Sequence, residues 1–209
     1  MPRKLLGMLL LIGSASFVMA QQPPPPPDRY KVQANLSGYP QATPKDAITS
    51  VLRAIDRGRL DYLAGQLLDP AFMDARVTAR AVPLEQQVDR ELRAKRDEQR
   101  TLRTPGERLP LDPGEFDAIV TTEARQRAFR LILGEIRDSL AENPDYVRDL
   151  QKFQRDADYA ELGETMQKAT LREVTDRAVF LKKIGERWFM MDTRQDPPAP
   201  KPAAPAAGM

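Results

Sequence analysis

Apolar and polar positions alternate along this chain in two different rhythms. Ala47, Ile48, Val51, Leu52 and Ile55 recur at helical spacing, and the run is bounded by clear punctuation. Thr43 stands as N-cap, Pro44 at the first helical position, Asp46 as the capping-box acid and Gly58 as the stop. A shorter helix is expected over Asp61 to Leu68, with Leu60, Leu63, Leu67 and Leu68 apolar, ended by Asp69-Pro70. Phe72 and Met73 then return to the core. Pro83 opens a third expected helix carrying Leu84, Val88 and Leu92, whose polar end from Arg93 to Arg100 projects into water. The prolines and glycines between Thr101 and Gly114 mark a loop.

The longest apolar stripe follows: Phe116, Ile119, Val120, Ala124, Ala128, Leu131, Ile132, Ile136 and Leu140, flanked by Phe129 and Leu133. It predicts a long helix buried on more than one side, ending before Asn143-Pro144. Those two residues repeat the cap-plus-proline device for a helix bearing Tyr146, Val147, Leu150 and Phe153. After Gly163 the period changes. Met166 to Val174, Ala178 to Ile184 and Arg187 to Met191 read as strands, with turns at Thr175-Asp176 and Gly185-Glu186. The expected fold class is therefore α+β, with four to five helices packed on a C-terminal antiparallel sheet of about three strands.

The two ends read differently. Arg3 and Lys4 precede an apolar run from Leu5 to Val18, and Val18-Met19-Ala20 form a small-residue cleavage site. This is the pattern of a secretory signal peptide cleaved after Ala20, which places the mature protein in the periplasm or outside the cell. The run is too short for a transmembrane span, so membrane contact is expected only during export. Residues 21–42 are expected to be a proline-rich disordered linker, 43–193 a single domain, and 194–209 a Pro/Ala-rich disordered tail.

Composition narrows the chemistry. The chain has no histidine and no cysteine. Histidine-dependent or cysteine-dependent nucleophiles, their zinc sites and disulfide staples are thereby excluded. Lys and Arg number 32 against 30 Asp and Glu. The excess of two is Arg3 and Lys4 of the leader, so the mature chain is balanced and carries no electrostatic signature for nucleic acid.

The capped helix with Ala47, Ile48, Val51, Leu52, Ala54, Ile55 and Gly58, the second helix with Leu63, Leu67, Leu68, Asp69, Pro70 and Phe72, and the hairpin Val179 to Phe189 resemble the NTF2-like, or SnoaL-like, α+β cone superfamily. The resemblance covers about a third of the chain, and the long helical middle from Val82 to Phe153 departs from the usual layout. It implies a curved sheet around a cavity, serving either enzymes or non-catalytic binding proteins. The chain also resembles secreted proteins of the planctomycete kind, which fits the leader and tails.

Within such a sheet Tyr159, Phe180, Trp188 and Met190 are the candidate pocket residues; the competing reading is that aromatics simply fill the sheet–helix interface. Glu123 and Arg127 read as an i,i+4 pair, with a buried proton carrier as the rarer alternative. Asp156, Asp158, Glu161 and Glu164 read as a solvated acidic turn, because the EF-hand spacing fails at Ala160 and Gln167. No catalytic residue, metal or cofactor is expected.

Three functions remain. The first is an exported non-enzymatic binding domain for a small apolar ligand or an envelope protein. The second, implied by the resemblance, is a ketosteroid-isomerase-like enzyme with a carboxylate base beside Tyr62 or Tyr159. The third is an envelope scaffolding module using the third helix and the tails.

Overall fold

The computed structural model describes residues 27–101 and 112–191. The leader, the C-terminal tail and the segment 102–111 of the expected loop lie outside these residues. Within them, α1 spans Pro44–Asp56. Thr43 Oγ1 accepts the Asp46 N–H at 3.1 Å while the Asp46 carboxylate accepts the Thr43 N–H at 3.1 Å. This reciprocal cap orients the buried face of Ala47, Ile48, Val51 and Ala54 toward the core. Gly58, at φ +64°, turns the chain into α2, Leu60–Tyr62, which widens into a π-helical turn over Leu63–Leu67. Every residue of that turn is buried.

Helix α3 runs unbroken over Pro70–Thr101 and contains Pro83 rather than starting there. A mid-helix proline forfeits one hydrogen bond and crowds the preceding turn, at a cost of about 3 kcal/mol. Here Met73, Val77 and Ala81 before it and Val88 after it form one continuous buried seam, and that packing outweighs the local penalty. The seam faces α4, Pro113–Glu142, through Phe116, Val120, Ala124, Ala128 and Ile132. Each helix is about 45 Å long at 1.5 Å per residue.

The hairpin is laced by ion pairs. Arg76 and Arg80 both engage Glu135, the first at 2.8 Å, and Arg127 reaches Glu91 at 2.7 Å. The polar end of α3 lies against α4 instead of standing free: Arg93 and Arg96 each place a guanidinium 5.0 Å from the Phe116 ring centre. Two members of the expected stripe, Ile119 and Leu131, face outward at 42% and 51% exposure. Asn143 is the N-cap of α5, Pro144–Asp156, with Pro144 at the first helical position as expected, but its side chain makes no capping bond; its Nδ2 donates to the Ser139 carbonyl at 3.1 Å and closes α4 instead.

The sheet has four strands rather than about three: β1 Asp158–Glu161, β2 Met166–Leu171, β3 Val174–Ile184 and β4 Arg187–Met190, in that order and antiparallel throughout. β1 is the acidic stretch read as a turn. Its exposed Asp158, Ala160 and Glu161 mask the strand, and Tyr159 alone turns inward to face Ala169. The β2–β3 turn is Arg172-Glu173, earlier than expected, while Gly185 at φ +59° opens the β3–β4 turn at the expected place. Register puts Tyr159, Ala169, Val179, Leu181, Trp188 and Met190 on the face toward the helices. Lys168, Phe180, Lys182 and Phe189 occupy the other face.

β4 would be an open edge, yet it is covered. The Asp69 N–H donates to the Met190 carbonyl, and the Trp188 N–H to the Gln41 carbonyl, both at 2.9 Å. Gln41 belongs to the segment expected to be linker. Residues 27–42 are instead part of the domain: Val32 and Tyr39 are core residues at 8% and 4% exposure, and Tyr39 stacks on Tyr62 at 4.2 Å. The segment has no periodicity because it is neither helix nor strand. It is held by single apolar anchors and side-chain hydrogen bonds. No helix among the described residues is long and apolar enough to cross a membrane.

Candidate functional site

The four pocket candidates do not converge. Tyr159 lies on β1 and Trp188 and Met190 on β4, three strand spacings apart, or roughly 14 Å across the sheet. Trp188 is 7% exposed and sits in the core between sheet and helices. Phe180 is on the opposite face, buried, with Lys168 Nζ 5.7 Å above its ring. The Tyr159 hydroxyl is buried without a hydrogen-bond partner among the described residues, and burial raises its pKa. A residue pattern cannot reveal which face of a strand an aromatic takes when the register is unknown, and that parity separates Phe180 from the rest.

Tyr62 does not meet a carboxylate. Its hydroxyl accepts the Asn35 N–H at 2.9 Å, and burial raises its pKa. Glu123 forms the expected pair with Arg127 at 3.2 Å and also reaches Arg130 at 3.3 Å, on a partly exposed helix flank. Asp158 and Glu161 are exposed strand residues, and no three acidic groups cluster as a metal site among the described residues.

Two polar constellations were not visible in the sequence. The first is buried and joins three elements. Arg187 Nε and Nη2 donate to Gln41 Oε1 at 3.0 and 2.6 Å, and Nη2 also reaches the Gln66 carbonyl and Oε1 at 3.0 and 3.1 Å. Gln66 Nε2 in turn donates to the Val32 carbonyl at 2.8 Å. Burial lowers the Arg187 pKa, and its acceptors are neutral amides rather than a carboxylate. This network ties the N-terminal segment and the π turn to β4.

The second constellation surrounds a two-residue turn. Arg29 and Val32 exchange backbone hydrogen bonds at 3.2 and 2.8 Å, and between them Tyr30 and Lys31 adopt left-handed φ values of +53° and +64°. The Tyr30 ring stacks on Phe129 at 4.4 Å, and its hydroxyl donates to Asp74 Oδ1 at 2.5 Å. Arg29 Nη2 donates to the same oxygen at 2.7 Å. Burial, then the hydrogen bond to Asp74, pushes the Tyr30 phenol up to about 12. Burial alone would raise the Asp74 pKa, but the donors Tyr30 and Arg29 outweigh it and hold the carboxyl below its ordinary value. Side chains of Lys31, Thr122, Arg125 and Gln126 complete a concavity of about 390 Å³.

A larger groove of about 520 Å³ opens between α1, α4 and α5. Ile55, Leu60, Leu140 and Val147 form its apolar lining, and Arg137 and Arg148 stand among its walls. Arg148 pairs with Asp145 at 2.9 Å, whereas Arg137 has no ion pair among the described residues. None of Tyr159, Phe180, Trp188 or Met190 lines either concavity.

These features define an α+β domain whose concavities are built by helices and by the N-terminal segment, outside the sheet. Comparison with protein-family models, with curated proteins and with solved structures found no match to the chain.

Proposed function

We propose that this protein is an exported, non-enzymatic binding domain, and that its ligand is a single-chain amphiphile with an acidic head. The observation that carries this reading is the groove between α1, α4 and α5. Its volume of about 520 Å³ lies within the usual span of small-molecule sites, about 300–1,000 Å³. Ile55, Leu60, Leu140 and Val147 offer an apolar bed, and Arg137, without an ion pair among the described residues, offers a charge complementary to an anion at its edge. Export rests on the Leu5–Ala20 pattern. Kinship with the NTF2-like superfamily belongs to the same proposal, supported by the capped α1, the Gly58 reversal and the β3–β4 hairpin.

The test is calorimetric titration with dodecanoate below its micellar range, beside dodecyltrimethylammonium. Saturable dodecanoate binding is expected, weakened at least tenfold in Val147→Glu and Arg137→Glu, with the cationic amphiphile inert. Absence of dodecanoate binding, or equal affinity in Val147→Glu, refutes the site. Mass spectrometry of the natural product should find an N-terminus at Gln21; an intact Met1 end would overturn export.

The enzymatic alternative needs a carboxylate in contact with Tyr62 or Tyr159, and their hydroxyls have other surroundings. The tyrosine–carboxylate pair that does form, Tyr30 with Asp74, is shifted the wrong way for proton transfer. The phenol stays protonated and the carboxylate ionised across neutral pH, whereas a working acid–base pair needs both pKa values drawn toward neutrality.

A further inference from the structure

We infer that the concavity between the Tyr30-Lys31 turn and α4 is a second binding site, separate from the groove, for a compact phosphate group.

The charges around it are unequal. Arg29, Lys31 and Arg125 line the concavity, and Asp74 is the one acid among the lining residues. Asp74 is already committed, since its Oδ1 takes both Tyr30 and Arg29. Arg29 is committed too, with further bonds to the Gly65 and Pro70 carbonyls at 3.0 Å each. Lys31 and Arg125 are left without a carboxylate within ion-pair distance among the described residues. Other arginines of the helical hairpin, Arg76, Arg80, Arg93, Arg127 and Arg130, have acid partners.

Neither cation is placed at random, and Arg125 also directs its guanidinium at the Tyr30 hydroxyl. Arg125, Thr122 and Gln126 lie on the same face of α4 as Phe129, the ring on which Tyr30 stacks. Lys31 follows Tyr30 in a turn closed by the Arg29–Val32 bonds. Left-handed φ at two successive non-glycine residues is strained, and such strain persists only where the surroundings over-determine it. Glycine or asparagine would suit this turn better, so lysine stands there against its backbone preference. The Asp74 hydrogen bond and the Phe129 stack supply the restraint.

A guanidinium and an ammonium lining one concavity from two elements, with Thr122 and Gln126 beside them, suit a tetrahedral dianion. Such a group could come from a soluble phosphomonoester or from a lipid headgroup, and the two are separable.

The experiment titrates the full chain with glycerol 3-phosphate at constant ionic strength, with glycerol as the neutral control. In parallel, the protein is sedimented with phosphatidic-acid vesicles and with phosphatidylcholine vesicles. Saturable phosphate-dependent binding is expected in at least one arm, and the responding arm identifies the source. Lys31→Gly and Arg125→Gln should each weaken it at least tenfold, and Lys45→Ala, an exposed lysine on α1, should leave it unchanged. Lys31→Gly also relieves the left-handed strain, so its melting temperature should equal or exceed the parent's and its lost affinity cannot be lost folding. No binding in either arm, or binding insensitive to both substitutions, overturns the site.

Discussion

Replacing Arg187 by methionine tests whether the buried amide network holds the N-terminal segment to the sheet. Methionine keeps much of the apolar stem but removes every donor. Gln41 and Gln66 are 2% and 0% exposed, and among the described residues Arg187 is the sole donor to Gln41 Oε1 and to Gln66 Oε1. The Gln66 carbonyl is spared, because Gln41 Nε2 also reaches it at 3.1 Å. Two buried acceptors left without donors cost about 1–3 kcal/mol each, and the substitution recovers part of this by no longer desolvating a guanidinium. A net loss of about 2–4 kcal/mol follows, or a fall in melting temperature of roughly 5–15 °C for a domain of this size. Urea unfolding followed by Trp188 fluorescence reads the change, since Trp188 adjoins Arg187 and is the chain's only tryptophan. Arg187→Lys, with a single reach instead of a fork, should fall between the two. Arg148→Met, whose side chain is 71% exposed, should change stability by less than about 0.5 kcal/mol. If Arg187→Met unfolds at the parental urea midpoint, those amides are hydrated and the network does not carry the attachment.

Pro83→Ala should stabilise the protein by about 1–3 kcal/mol, because alanine restores a helical N–H without disturbing the α3–α4 seam; a loss of stability in the same urea assay would show that the proline has a packing role. Tyr159→Phe removes a buried hydroxyl that has no partner and should raise stability by about 1 kcal/mol, whereas a destabilised variant would reveal a bound water there. The Tyr30 phenol ionises near 10 when unfolded and about 12 when folded, so the stability it contributes is complete below pH 10 and disappears as the pH rises through 12. Thermal melts between pH 9 and 12 should therefore fall less steeply in Tyr30→Phe than in the parent; identical slopes would detach Tyr30 from alkaline unfolding.

What could be read from residues divides along a physical line. α1 was legible because its cap, proline, acid and glycine all act within a few positions of the chain, and so was α4, whose stripe is long enough to dominate any local noise. The sheet's existence was legible from composition, but its first strand was not, since only Tyr159 of Asp158–Glu161 turns inward and a single apolar residue has no period. Pro83 misled for the opposite reason: its local meaning is real, and it loses to contacts with α4 that lie some forty residues away in the chain.

Residues 27–42 show the same limit in its strongest form, and the proposed phosphate site depends on them. Nothing local distinguishes Tyr30 or Gln41 from linker residues. Each is defined by partners far along the chain: Tyr30 by Asp74 and Phe129, Gln41 by Trp188 and Arg187. A segment without its own hydrogen-bonded ladder can place individual side chains at angles that a helix or strand would forbid, as the consecutive left-handed residues Tyr30 and Lys31 do. The polar concavity therefore arises from irregular backbone fixed onto a rigid helical hairpin. It sits where the N-terminal segment crosses α3 and α4, outside the interior of the sheet, which Trp188 and Leu181 help to fill.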